Sequence, residues 1–232
     1  MQCVGVDGAR QGWLAVWEQE RSLEFALYTD PATLCSAHAQ AAVIAVDIPI
    51  GLTDRDQRAA DVLARKFVGG RRASSVFSAP VRGILDATSQ AAASRRHRVI
   101  DGRGYGAQAF GILAKIRAWD ALLQGDSGLR SRVYEVHPEV SFAALNGKVG
   151  LAERKHSEEG RDSRTVLLGH EFGFKRVGNL LAAVPRDMAA PDDVLDALVA
   201  LWSARRIASG TAQSLPSPAL VDAAGLRMAI NF

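Results

Sequence analysis

Cysteine is nearly absent from this chain: Cys3 and Cys35 are the only two in 232 residues. Two cysteines without paired spacing exclude a disulfide framework and a cysteine-based zinc site. Long apolar runs are missing as well. None reaches the roughly 20 residues that cross a bilayer, and the amino terminus has no basic segment leading into an apolar signal core. The expectation is a cytoplasmic protein with no membrane partner. Charge of one sign is scarce too, the formal net charge being only +3. Such a balance permits a nucleic-acid partner without demanding one. There is no internal repeat and no low-complexity tract. What remains is an ordinary globular composition, 48% hydrophobic and 23% charged, at a length that suits one elaborated domain, residues 1–232, better than two.

The most informative stretch is Pro191 to Ile207, PDDVLDALVALWSARRI, which puts acids on a helix otherwise built for burial. At about 100° per residue, Asp193, Asp196, Ala197, Ala200 and Ala204 share one face. Small residues let a helix lie close to a sheet, so carboxylates on that face reach the strand ends. Buried charge is costly unless it is paired or bound to a cation. An acidic first turn also favours the positive end of the helix dipole, which requires no function.

Further acids stand at strand ends. Gln2 to Asp7 reads as a short apolar strand running into Gly8, Ala9 and Arg10, followed by the alternating segment Gly12 to Glu18, so a hairpin is expected with Asp7 at its tip. Leu23 to Tyr28 makes the third strand of a meander, and Pro31 to Ala39 a short helix. Ala41 to Val46 is a continuous apolar run, fit for a strand buried on both faces, and it ends on Asp47. In an open α/β sheet, ligands bind beyond the carboxyl ends of the strands, where Asp7 and Asp47 can converge. Aspartate is equally at home in turns for its local hydrogen bonds.

From Thr53 the texture becomes basic. A helix is expected over about 55–67, with Val62, Leu63 and Phe67 inward and Arg58, Arg65 and Lys66 outside. Gly69, Gly70, Arg71, Arg72, Ser74 and Ser75 then form a loop whose guanidinium, hydroxyl and backbone donors suit phosphate oxygens, although it lacks the spacing of a P-loop. Helices over 86–99 and 105–123 follow, and residues 53–128 together read as a helical insertion. Arg132 to His137 alternates as a strand, with Glu135 beside Val133 on one face, and Phe142 to Leu145 begins a short helix. A charged segment over 153–164 leads into a loose stretch over 169–190, and Ser214 to Pro218 is a Ser/Pro-rich connection.

This order resembles the ribonuclease H-like superfamily, in particular its Holliday-junction-resolvase branch, whose last helix carries a D-x-x-D-A pattern like Asp193-Val-Leu-Asp196-Ala197. More closely, the chain is similar to the DUF429 family through GVDGARQGW at Gly5 to Trp13, VDIPIGL at Val46 to Leu52, ADVLARKFVGGRRASSVFSAP at Ala60 to Pro80, YEVHPEVSF at Tyr134 to Phe142 and DDVLDAL at Asp192 to Leu198. The resemblance implies an α/β fold with a mixed central sheet, an opening meander then parallel strands, flanked by helices. It implies a metal-dependent nuclease in which Asp7, Asp47, Glu135, Asp193 and Asp196 are catalytic. Asp7, Asp47, Glu135 and Asp193 would hold Mg²⁺ or Mn²⁺, and Arg10, Arg65, Arg71, Arg72, Ser74 and Ser75 would meet a nucleic-acid substrate. Where resolvases carry glutamate at the end of the fourth strand, this chain has Asp47, one methylene shorter. Two other functions stay open: a catalytically weak module that binds nucleic acid or protein, and an actin- or sugar-kinase-like binder of nucleotide phosphates.

Overall fold

In the computed structural model, β1 (Cys3–Ala9), β2 (Gly12–Gln19) and β3 (Ser22–Tyr28) pair antiparallel as a meander. β4 (Val43–Val46) and β5 (Val133–Glu135) then add in parallel beside β1, giving the order β3-β2-β1-β4-β5. The structure describes residues 1–232, except for the side chain of Arg71. The fold is the expected α/β arrangement, a mixed sheet with helices on both faces.

The helices are α1 (Pro31–Ala37), α2 (Ala59–Val68), α3 (Gln90–Asp101), α4 (Ala107–Phe110), α5 (Leu113–Gly125) and α6 (Ser127–Arg132), then α7 (Pro138–Leu145), α8 (Glu158–Phe172), α9 (Phe174–Ala183) and α10 (Pro191–Ala208). A hairpin of β6 (Ser214–Val221) and β7 (Arg227–Asn231) closes the chain. Strand alternation assigns each side chain of the sheet to one of two cores. Cys3 and Ala9 of β1 with Val43 and Ala45 of β4 face α7, α8, α9 and α10. Val4, Val6, Ile44, Val46 and Val133 face α1 and α5 on the other side, where Trp13 and Trp119 meet edge to face at 5.6 Å between ring centroids. Such an aromatic pair contributes about 1 kcal/mol beyond its buried area.

Several elements differ from the sequence expectation. The hairpin turn lies at Arg10 and Gln11, because Asp7 pairs with Leu14 inside the ladder and β1 continues to Ala9. The helix expected from about 55 begins at Ala59 and buries Ala60, Asp61, Ala64 and Val68, leaving Val62 46% exposed. Arg58, expected outside, is buried at its N-cap. The stretch 169–190 is mostly helical: α8 ends at Phe172, Gly173 turns the chain at φ 89°, and α9 buries Val177 and Leu180. A glycine between two short apolar stripes hides their common period. The connection over 214–218 belongs to β6, whose pairing with β7 is interrupted between Leu215 and Leu220, where Pro216 and Pro218 supply no ladder donors. Among the described residues no helix is long and apolar enough to cross a membrane.

Candidate functional site

Asp7 is set by the pleat. It shares the face of Cys3, Gly5 and Ala9, so it points towards α10 and is buried at 6% exposure. Asp47 follows β4 with the parity of Val43 and Ala45, and its N–H donates to Val6 O at 3.0 Å, which keeps it level with Asp7 on the neighbouring strand. Asp196 comes from α10, one residue before Ala197, on the alanine face whose Ala197, Ala200 and Ala204 are fully buried against the sheet. Three elements thus bring three carboxylates together where the parallel pairing of β1 and β4 ends.

Their charges interact. Burial, then the charges of Asp196 and Asp47, holds the Asp7 carboxyl well above the usual range. Burial likewise raises Asp47 and Asp196 to about 6, while the Lys155 ammonium pulls both down, and the Asp7 carboxyl hydrogen-bonds to Asp47. Lys155 Nζ donates to Asp196 Oδ2 at 3.0 Å and lies 3.9 Å from Asp192 Oδ2. Burial alone would push that ammonium down, but Asp196, Asp7 and Asp47 hold it above its ordinary value. On the hairpin side, Lys115 Nζ donates to Ala9 O at 2.9 Å and Gly12 O at 3.1 Å, and sits 4.9 Å from the Trp13 ring centroid.

Asp193 stands apart from this group in its contacts. Its Oδ2 accepts from the Ala190 N–H at 3.0 Å and so caps the first turn of α10, although its charge still reaches Asp7. Glu135 lies on the other face of the sheet. It pairs laterally with Val46, so it shares the side of Val46 and Val133, opposite to that of Asp7, although it lines a small cavity with Asp47, Arg58 and His137. There both its oxygens accept from Arg58, Nη1 at 2.9 Å and Nη2 at 2.7 Å, and Oε2 also takes the Ile50 N–H at 2.8 Å. Burial pushes the carboxyl up to about 7, against the pull of Arg58. The Arg58 guanidinium further donates to Ile50 O, Gly51 O and Asp61, so the pair stitches the 47–52 loop to α2.

Asp47 and Asp196 line a cleft of about 970 Å³ together with His137, Glu139 and Lys155. Its rim carries Ser74, Ser75, Phe77, Gln108, Arg154 and His156. Of the residues expected to meet phosphate, Ser74, Ser75 and Arg72 line this cleft, but Arg72 is bound to Glu139, which also accepts from Arg164 Nη2 at 2.7 Å. Arg65 is occupied in holding the chain over 76–78, through Val76 O at 2.8 Å and Ser78 Oγ at 2.7 Å. Arg10 is exposed at the hairpin turn, and the Arg71 side chain lies outside those described. Lys155, Lys115, Arg154 and His156 carried no signal in the sequence, since isolated basic residues in polar segments read as solvated.

The donor set suits a hard divalent cation: oxygen ligands only, Asp7 and Asp196 buried and Asp47 half-buried, with proton affinities raised first by desolvation. Among the described residues, however, no three carboxylate, imidazole or thiolate groups already stand around one point as a metal cage does. Lys155 stands among the acids instead. No curated protein matches this chain. The family model described as Protein of unknown function (DUF429) matches residues 5–220, nearly the whole length. The chain belongs to the DUF429 family.

Proposed function

We propose that this protein is a metal-dependent nuclease that hydrolyses phosphodiester bonds at the cleft over Asp7, Asp47 and Asp196. The observation that carries the reading is the meeting of Asp7 from β1 with Asp47 at the end of β4 and Asp196 from α10, the latter two lining an open cleft of about 970 Å³. Mg²⁺ or Mn²⁺ held there would polarise the phosphate and lower the pKa of a bound water. Asp7, Asp47 and Asp196 would hold it in their ionised forms. Asp193 fixes the start of α10 and thereby the place of Asp196, one turn on. His137 accepts the Glu139 N–H through Nδ1 at 3.2 Å, and burial keeps its ring below the ordinary histidine value, so its neutral form faces the cleft. Arg154 on the rim provides positive charge for flanking phosphates, and Ser74 and Ser75 provide hydroxyl donors. Both cysteines are free and buried, which agrees with a cytoplasmic location.

One observation favours a second reading. Lys155 already compensates the aspartates, as a binding module without turnover would require. Incubation of wild type and Asp7→Asn with labelled RNA, DNA, hybrid duplex and branched junction, in Mg²⁺ and in Mn²⁺, separates the two. Cleavage by wild type that is lost in Asp7→Asn is expected. Retention of a labelled strand with no cleavage of any substrate would leave the binding module.

A further inference from the structure

We propose that Lys155 is the built-in cation of the aspartate cluster, and that a divalent ion enters only by displacing its ammonium. The inference rests on the metal-dependent reading above and adds a competition within the chain itself. Its basis is geometric. Lys155 Nζ is 3.0 Å from Asp196 Oδ2 and 3.9 Å from Asp192 Oδ2, and Asp7 and Asp47 are near enough to act on its charge. An ammonium at that place uses the lone pairs a metal would take, and two cations cannot share them at such distances without strong repulsion.

The surrounding chain allows the exchange. Lys155 belongs to the irregular connection between α7 and α8, not to a helix or strand. That connection is anchored at one end by buried Leu151 and at the other by Ser157, which caps α8 through Gly160 N. Between them, Ala152, Arg154 and His156 are exposed, and the ties to α10 are Lys155 and His156, the latter 2.9 Å from Asp192 Oδ2. The lysine stem is flexible and opens onto the cleft, so its head has a solvated position to move to at the rim. A swung-out Lys155 would also stand where flanking phosphates pass.

The test compares Mn²⁺ affinity by calorimetry at pH 7.5 for wild type, Lys155→Met and Lys155→Arg. Lys155→Met keeps the stem and removes the competing charge, and its affinity should rise about tenfold or more; Lys155→Arg should bind no more tightly than wild type. A direct readout on the unmodified chain is acylation of lysines followed by mass spectrometry, in which Lys155 should become several-fold more reactive when Mn²⁺ is added. That second measurement decides the matter if Lys155→Met does not fold without metal. Equal or weaker Mn²⁺ binding by Lys155→Met, or unchanged Lys155 labelling while Mn²⁺ is bound, overturns the displacement and leaves the nuclease reading standing. Failure of every form to bind Mn²⁺ overturns both.

Discussion

Gly5 of β1 lies directly beneath Ala197 of α10. A Cβ on Gly5 would fall onto Ala197 O and Leu201 N, and would come within 2.6 Å of Leu201 Cα. Backbone on backbone is as near as a helix can lie to a sheet, and it is what sets Asp196, next to Ala197, against Asp7, two residues from Gly5 on the same face. The site therefore depends on an absent side chain.

Gly5→Ala is expected to cost about 3 kcal/mol of stability, because the helix backbone must move to admit one methyl group. Urea denaturation measures it. A loss below about 0.5 kcal/mol would mean that α10 can shift freely, and the close packing would then not be what positions Asp196.

The Arg58–Glu135 pair predicts a different outcome from that of the aspartates. Removing one partner from a buried ion pair leaves the other charge uncompensated, so Glu135→Gln should lose about 3 kcal/mol of stability. Asp61 softens this, since it also binds Arg58. The folded variant should keep its Mn²⁺ affinity. A selective loss of metal binding with stability intact would instead return Glu135 to the cation site.

How much of this was legible in the sequence turns on strand parity. Asp7, Asp47 and Asp196 could be picked out because two apolar strands end on acids and one helix carries its acid on an alanine face. Glu135 was equally visible as an acid in a strand, yet residue spacing along one strand does not say which sheet face it takes. That became known only from its pairing with Val46. Arg58 was hidden because arginine is a surface residue unless a buried carboxylate awaits it, and that carboxylate is 77 residues away. Pro216 and Pro218 masked β6, as prolines ordinarily argue against a strand. Lys155 could not be found at all, because the contact joins an irregular segment to a helix 41 residues on.

Acidity offers a third prediction. Asp47 titrates near pH 6 in the folded chain, above its ordinary 3.8, so the folded protein holds a proton that the unfolded chain has already released. Its contribution to stability is therefore highest below about pH 4, falls as the pH rises towards 6 and is flat above that. Asp47→Asn cannot titrate. In metal-free buffer its stability relative to wild type should increase between pH 4.5 and 7.5, and relief of Asp7 and Asp196, whose carboxyls the Asp47 charge raises, acts in the same direction. Taking the difference cancels the histidines, of which His38 and His137 are depressed by burial and act in the opposite sense. A difference that does not change with pH would show that burial does not raise the Asp47 carboxyl.

The central claim is that the three aspartates form a divalent-cation site, and the most direct measurement is a calorimetric Mn²⁺ titration of wild type and Asp7→Asn at pH 7.5. Saturable binding by wild type that disappears in Asp7→Asn, with circular dichroism unchanged, is the expected result. No binding by wild type at millimolar Mn²⁺, or undiminished binding by Asp7→Asn, would contradict it.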